Sequence, residues 1–136
     1  MSLEPADQKW LEEFLGRERG LAGTVHRVRD SDLHLTAALN IPPPVLAAVT
    51  VVPRGRGMAG QAQLSAQPVQ TCNLKDDDSG PVRPLARTVE GRAAIALPVL
   101  AQDGAVRAVV GISFGFAGEI AADAEQTLAR AAATLP

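Results

Sequence analysis

The chain has 136 residues, 13 basic and 15 acidic side chains and a formal net charge of -2. That length suits one domain with a real hydrophobic core, and the lack of a basic excess excludes a nucleic-acid backbone as an expected partner. A lone cysteine, Cys72, excludes an intrachain disulfide; no apolar signal core opens the chain and no apolar run is long enough for a bilayer, so a cytoplasmic address without a membrane partner is expected.

In chain order, Glu4 to Leu15 reads as a short amphipathic helix. Trp10, Leu11, Phe14 and Leu15 form its apolar stripe, with Asp7, Lys9, Glu12 and Glu13 around it, and Gly16 as its end. Thr24 to Arg29 is a strand, Asp30-Ser31-Asp32 a turn, and Leu33 to Leu39 the partner strand of a hairpin. Pro42-Pro43-Pro44 opens a brief helix over Val45 to Ala48, because proline is tolerated in a first helical turn. A strand, Thr50-Val51-Val52, runs into the loop GRGMAG (Gly55–Gly60), followed by a helical piece from Gln61 to Ala66 that Pro68 stops. Val69 to Leu74 is a strand carrying Cys72 as a small buried hydrophobe, KDDDSGP a solvated loop, and Val82 to Val89 a helix with Arg83 and Arg87. Ile120 to Leu135 closes the chain as an Ala-rich helix with a stripe through Ile120, Ala124, Leu128 and Ala131.

Between these lies the clearest local instruction. Ala93 to Ala101 and Ala105 to Phe114 flank Asp103-Gly104, a strong hairpin signal. A two-residue turn there sets Gln102 opposite Ala105, Pro98 opposite Val109, Ala96 opposite Gly111 and Ala94 opposite Ser113. One face then carries Ala94, Ala96, Gly111 and Ser113, all small. The other carries Ile95, Leu97, Val99, Val110, Ile112 and Phe114, interrupted by Ala108. The bulky face needs a large partner, most simply the terminal helices. The small face leaves room for a close-packed helix or for a cavity.

GRGMAG matches the G-x-G-x-x-G of a dinucleotide-binding loop, but that loop opens a crossover helix long enough to reach a parallel strand. Here about six helical residues precede Pro68 and antiparallel hairpins follow. As a Walker A loop it fails as well, because Gln61-Ala62 stands where Lys-Ser/Thr would hold phosphate and magnesium. The glycines read as a turn that needs positive φ and close approach.

The run Val51-Val-Pro-Arg-Gly-Arg-Gly-Met-Ala-Gly60, then VQTCNL, then AAIALPVLAQDGAVRAVVGISF, resembles a GAF domain, and the likeness in element order covers nearly the whole chain. The resemblance implies an α+β fold, PAS-related: a twisted antiparallel sheet with both terminal helices on one face and a pocket under loops and short helices on the other. A PAS-like sheet is the structural alternative, against which the glycine loop argues. A well-defined enzyme of this fold is the free methionine-R-sulfoxide reductase. Its cysteines would fall at Ala59, near Val49 and near Arg87, and its pocket carboxylates at Ala94, Gly111 and Ser113, so none of them is present. Sulfoxide reduction needs an attacking thiolate and a resolving thiol, and Cys72, off the matching positions, completes no such cycle alone. Bilin attachment wants a cysteine with a neighbouring histidine, whereas Asn73 follows Cys72; no cyclic-nucleotide signature is found.

Metal chemistry is no better served. From Asp76, the glycine and glutamate positions of an EF-hand loop hold Pro81 and Arg87, and His26 and His34 read as lone histidines on the polar faces of their strands. The expectation is therefore a single GAF-like domain over 1–136 with no cofactor and no catalytic activity, a bacterial sensor binding a small molecule. Its binding residues are expected to be Asn73, Arg83, Thr88, Ala94, Ala96, Gly111 and Ser113. Its signal would pass through a homodimer formed by the N- and C-terminal helices or through a partner signalling protein. The alternatives are an interaction module whose pocket Met58 and Leu85 fill, and a redox enzyme using Cys72.

Overall fold

Proline at the first helical position and a left-handed residue after the last one bound the opening helix of the chain in the computed structural model, which describes residues 3–75 and 88–136. This helix, α1, spans Pro5–Glu18, so Gly16 does not end it; Arg19, at φ 60°, caps it instead with its N–H on the Leu15 carbonyl. There follow β1 (Ala22–Arg29), β2 (Asp32–Leu39), α2 (Pro43–Ala48), β3 (Val51–Val52), α3 (Gly57–Ser65), β4 (Val69–Thr71), β5 (Ala94–Leu100), β6 (Val106–Ser113) and α4 (Ala122–Ala132). The expected helix over residues 82–89 falls for the most part outside the described residues, as do Arg83, Leu85, Arg87 and the Asp76-Asp77-Asp78 loop.

The strands form one antiparallel sheet in the order β3-β2-β1-β6-β5-β4. Asp30 (φ 53°) and Ser31 (φ 73°) make the β1–β2 connection, both in the positive-φ conformation that a tight hairpin turn demands. In β2 the expected alternation stops at a bulge: Val25 pairs with Ala37 but His26 pairs with Leu35, leaving Thr36 over. That is why Leu35, Thr36 and Ala37 are all buried in succession.

The β5–β6 hairpin has the expected pairs, Ala94 with Ser113, Ala96 with Gly111 and Pro98 with Val109, but reaches them by another route. Its loop has three residues, not two. Gly104 (φ 87°) donates to the Ala101 carbonyl, and the Ala101 N–H donates to the Ala105 carbonyl. Leu100 therefore pairs with Val106, one residue out of step, and a bulge at Arg107 restores the register by Val99 and Ala108.

The bulky face of this hairpin packs with Trp10, Leu11, Phe14 and Leu15 of α1 and with Leu128 and Ala132 of α4 in one buried cluster. Helix α4 is shorter than the sequence suggests; Ile120 is buried ahead of it and Ala124 is exposed. Trp10 stacks on Phe14 with ring centroids 4.8 Å apart, and its Nε1–H donates to Thr134 Oγ1 at 2.9 Å, joining the two terminal helices. Asp7, expected in the polar surround of α1, is buried on its inner face. It receives the Arg27 guanidinium and the Thr36 hydroxyl.

Candidate functional site

On the opposite face of the sheet, the small side chains leave space and the glycine loop roofs it. Gly55 (φ 87°) and Gly57 (φ 67°) adopt left-handed conformations. At Gly60 a β-carbon would lie 2.9 Å from the Pro53 carbonyl oxygen and from the Gly55 carbonyl carbon. The loop is thus a turn that lets a helix start in close contact with its own approach strand. Helix α3 begins inside it, at Gly57 and not at Gln61, and ends where Ala66 turns left-handed.

Beneath lies a cavity of about 450 Å³, within the range of small-molecule sites. Ala94, Ala96, Gly111 and Ser113 form part of its floor with Ala22, Thr24 and His26 of β1. Val45, Ala48 and Val49 from α2 and its end, Val52 of β3, and Arg56, Gly57, Met58 and Ala59 at the start of α3 make the walls, with Leu74 and Val89 at one side. Met58 lines the space without closing it; Leu85, the other residue considered as a plug, is outside the described residues.

The structure divides the remaining expected site residues. Asn73 is half-buried beyond β4, where its Oδ1 accepts from the Lys75 N–H, and it is not among the residues lining the cavity. Thr88 borders a separate surface pocket with Leu21, Asn40 and Glu90. Ser113 Oγ donates to the Glu90 carbonyl and so holds the 88–92 segment against the sheet. Cys72 corrects the sequence reading: β4 ends at Thr71, and the thiol beyond it is exposed and away from the cavity lining.

Sequence reasoning missed the main polar group of the floor. His26 is not on a polar face; it is 3% exposed and lines the cavity. Its Nε2–H donates to the Val49 carbonyl at 2.8 Å, which fixes the tautomer and leaves Nδ1 as a lone-pair acceptor. Among the described residues Nδ1 has no partner. Burial pushes the imidazole pKa down to about 4, the Val49 carbonyl opposes that shift and His34 adds to it, so the ring is neutral at pH 7. The signal was present in the period of β1, where Ala22, Thr24, His26 and Val28 share one side, opposite Val25 and Arg27. Among the described residues no cluster of three or more histidine, cysteine, aspartate or glutamate side chains is placed to hold a metal ion.

By sequence, no protein-family model and no curated protein matches the chain. Its backbone superposes on the GAF domain of an Acinetobacter phosphoenolpyruvate-protein phosphotransferase with a TM-score of 0.74, over 99% of this chain and 80% of that one, at 15% identity. The chain has the GAF fold. The same fold relates it to the type II free methionine-R-sulfoxide reductase of Thermoplasma acidophilum, with a TM-score of 0.70, 15% identity and coverage of 92% and 85%. It relates it equally to the second GAF domain of DevS from Mycobacterium smegmatis, with a TM-score of 0.65, 20% identity and coverage of 92% and 83%. Neighbours of this fold thus include a sulfoxide reductase and also a putative GAF sensor protein from Burkholderia vietnamiensis, so the fold leaves the activity to be argued from the site. No helix among the described residues is long and apolar enough to cross a membrane.

Proposed function

We propose that this GAF-fold chain is a non-catalytic small-molecule sensor whose ligand sits in the cavity between the small-residue floor and α3. The observation that carries the reading is the cavity itself. About 450 Å³ is kept open beneath the glycine loop by Ala94, Ala96 and Gly111, positions where larger side chains would fill it. The chemistry of the lining supports binding over turnover. The described lining residues include no thiol and no carboxylate, and the Cys72 thiol is exposed elsewhere. His26, its Nε2–H held by the Val49 carbonyl, is neutral at pH 7 and brings no charge to the floor.

The sensor's output passes through association, with itself or with a signalling partner. The apolar stripe of α1 is turned into the protomer, with Leu11 and Phe14 fully buried, so a dimer through the terminal helices uses their outer, polar faces. Native mass spectrometry of gently desolvated protein tests both parts. The expected result is a dimer carrying a discrete small adduct, with the adduct lost in Ala96→Phe and in Gly111→Leu. A screen across metabolites of every charge type that finds no cavity ligand would overturn the sensor reading, and turnover of free methionine sulfoxide abolished by Cys72→Ser would replace it. A monomer at all concentrations would remove homodimerisation from it.

A further inference from the structure

The floor of the cavity carries few polar side chains, and all but one are closed to an occupant. Ser113 Oγ donates to the Glu90 carbonyl, and the His26 Nε2–H donates to the Val49 carbonyl. The other nitrogen of that ring is buried with almost no accessible surface and meets no occupant. Thr24 is the exception. It lines the space, is only half-buried, and its hydroxyl has no hydrogen-bond partner among the described residues. The strands fix where that hydroxyl stands. Thr24 of β1 pairs with Gly111 of β6, which in turn pairs with Ala96 of β5. A β-carbon at Gly111 would come within 3.0 Å of Thr24 Oγ1, so the hydroxyl stands over the glycine on the cavity side of the sheet. Glycine and alanine beside it leave it uncovered. The rest of the surface offers an occupant little to hold by polarity: Val45, Ala48, Val52 and Met58 are apolar, and Arg56, the one formal charge among the described lining residues, is exposed to solvent.

We propose that the cavity takes an uncharged, largely apolar molecule with one alcohol or carbonyl oxygen, and that the Thr24 hydroxyl receives this oxygen and selects for it. This deepens the sensor reading and rests on it. A hydroxyl both donates and accepts, so it serves either kind of oxygen. About 450 Å³ is the liquid share of roughly fifteen water molecules, and exchanging that water for a hydrocarbon body against apolar walls is favourable. An ion gains no such exchange. A carboxylate or an ammonium group would give up its hydration in a lining whose described residues offer no carboxylate and no buried cation. A neutral oxygen gives up a hydrogen bond to water and regains one on Thr24.

Calorimetric titration of the full chain at neutral pH separates the classes with four matched probes: 2-phenylethanol, ethylbenzene, phenylacetate and 2-phenylethylamine. Homologues with one and two further methylene groups extend each series. The alcohol is expected to bind at least tenfold more tightly than the acid and the amine of the same length. Thr24→Val, which keeps the shape and the β-branch that a strand favours, should weaken the alcohol about five- to tenfold and leave the hydrocarbon as tight or tighter. An acid or amine that binds as tightly as its alcohol would overturn the proposal, and that comparison uses only the unaltered protein. So would a Thr24→Val variant that shifts alcohol and hydrocarbon alike, or shifts neither. Binding of charged metabolites alone, blocked by Ala96→Phe, would defeat the neutral class while the sensor reading stands; a cavity that binds nothing of any charge defeats both.

Discussion

A neutral imidazole buried on the cavity floor ties the stability of the fold to pH. In the unfolded chain His26 takes up its proton near 6.5, and in the folded protein only near 4. Between those values the unfolded state binds more protons, so stability falls as pH drops from 6.5 to 4 and this contribution then levels off. The full loss is about 3 kcal/mol. Asp7 adds a second acid-sensitive element. Burial alone would raise its pKa, but the hydrogen bonds from Arg27 and Thr36 and the charges of Arg27 and Arg107 outweigh that and hold it below the usual carboxylate value. Its stabilisation is present above the unfolded pKa and disappears as pH falls through the folded one. Urea denaturation across this range should show both, and His26→Leu should flatten only the upper part. An unchanged slope in that variant would mean that the imidazole is not held neutral. Asp7→Asn, read at pH 7, should cost about 2 to 3 kcal/mol because Arg27 loses its charged acceptor. Both residues were partly legible. Asp7 lies one helical turn before Leu11 and two before Phe14, and His26 shares its strand face with Val28. Polarity alone hid them, because the sequence does not say which polar residue will find a partner inside.

At the scale of elements, the local rules of turn and hairpin were legible wherever chemistry leaves few choices. The Asp103-Gly104 turn and the small and bulky faces of β5 and β6 follow from alternation, and the three-residue loop changes the path without changing the pairs, because the Arg107 bulge cancels it. What the sequence could not reveal is where α3 starts, since that depends on how closely its first turn approaches the Pro53–Gly55 backbone. This gives a sharp expectation for the third glycine of the loop. Gly60 has no positive φ to defend, so only contact decides, and its new β-carbon would meet backbone atoms at 2.9 to 3.0 Å that have no rotamer to move. Gly60→Ala should therefore destabilise by about 1 to 3 kcal/mol, as overpacking does, despite the higher helix propensity of alanine. A rise in melting temperature would show that the loop gives way. Ser31 is the converse case: at φ 73° it has a side chain where glycine is favoured, and Ser31→Gly should stabilise the first hairpin by about 0.5 to 1 kcal/mol in thermal denaturation.

The whole molecule is a sheet with two unlike sides, and mutations should report that asymmetry directly. On the helix side, Phe14 is fully buried and stacked on Trp10, against sheet residues that α1 and α4 cover. Phe14→Ala would leave a void in a packed cluster and should cost about 3 to 5 kcal/mol. On the other side, Ala94 is buried beside Leu74, Met58 and Val89 and lines the cavity. Added methyl groups there enter open space and gain apolar contact, so Ala94→Val should be neutral or stabilising by up to about 1 kcal/mol. Division of the two faces was readable from the hairpin sequence, because six bulky residues opposite four small ones demand unequal partners. Whether the small face receives a helix or keeps a cavity was not readable. That depends on α2, α3 and the 88–92 segment standing off the sheet together, a distance set by contacts far apart in sequence. The comparison of the two variants decides it in one denaturation experiment. A cost of about 1 to 3 kcal/mol for Ala94→Val, the signature of overpacking, would mean that the space closes in solution and that the face is a packed interior. Neutrality at Ala94 beside a large loss at Phe14 would establish a floor built to leave room, on which ligand binding depends.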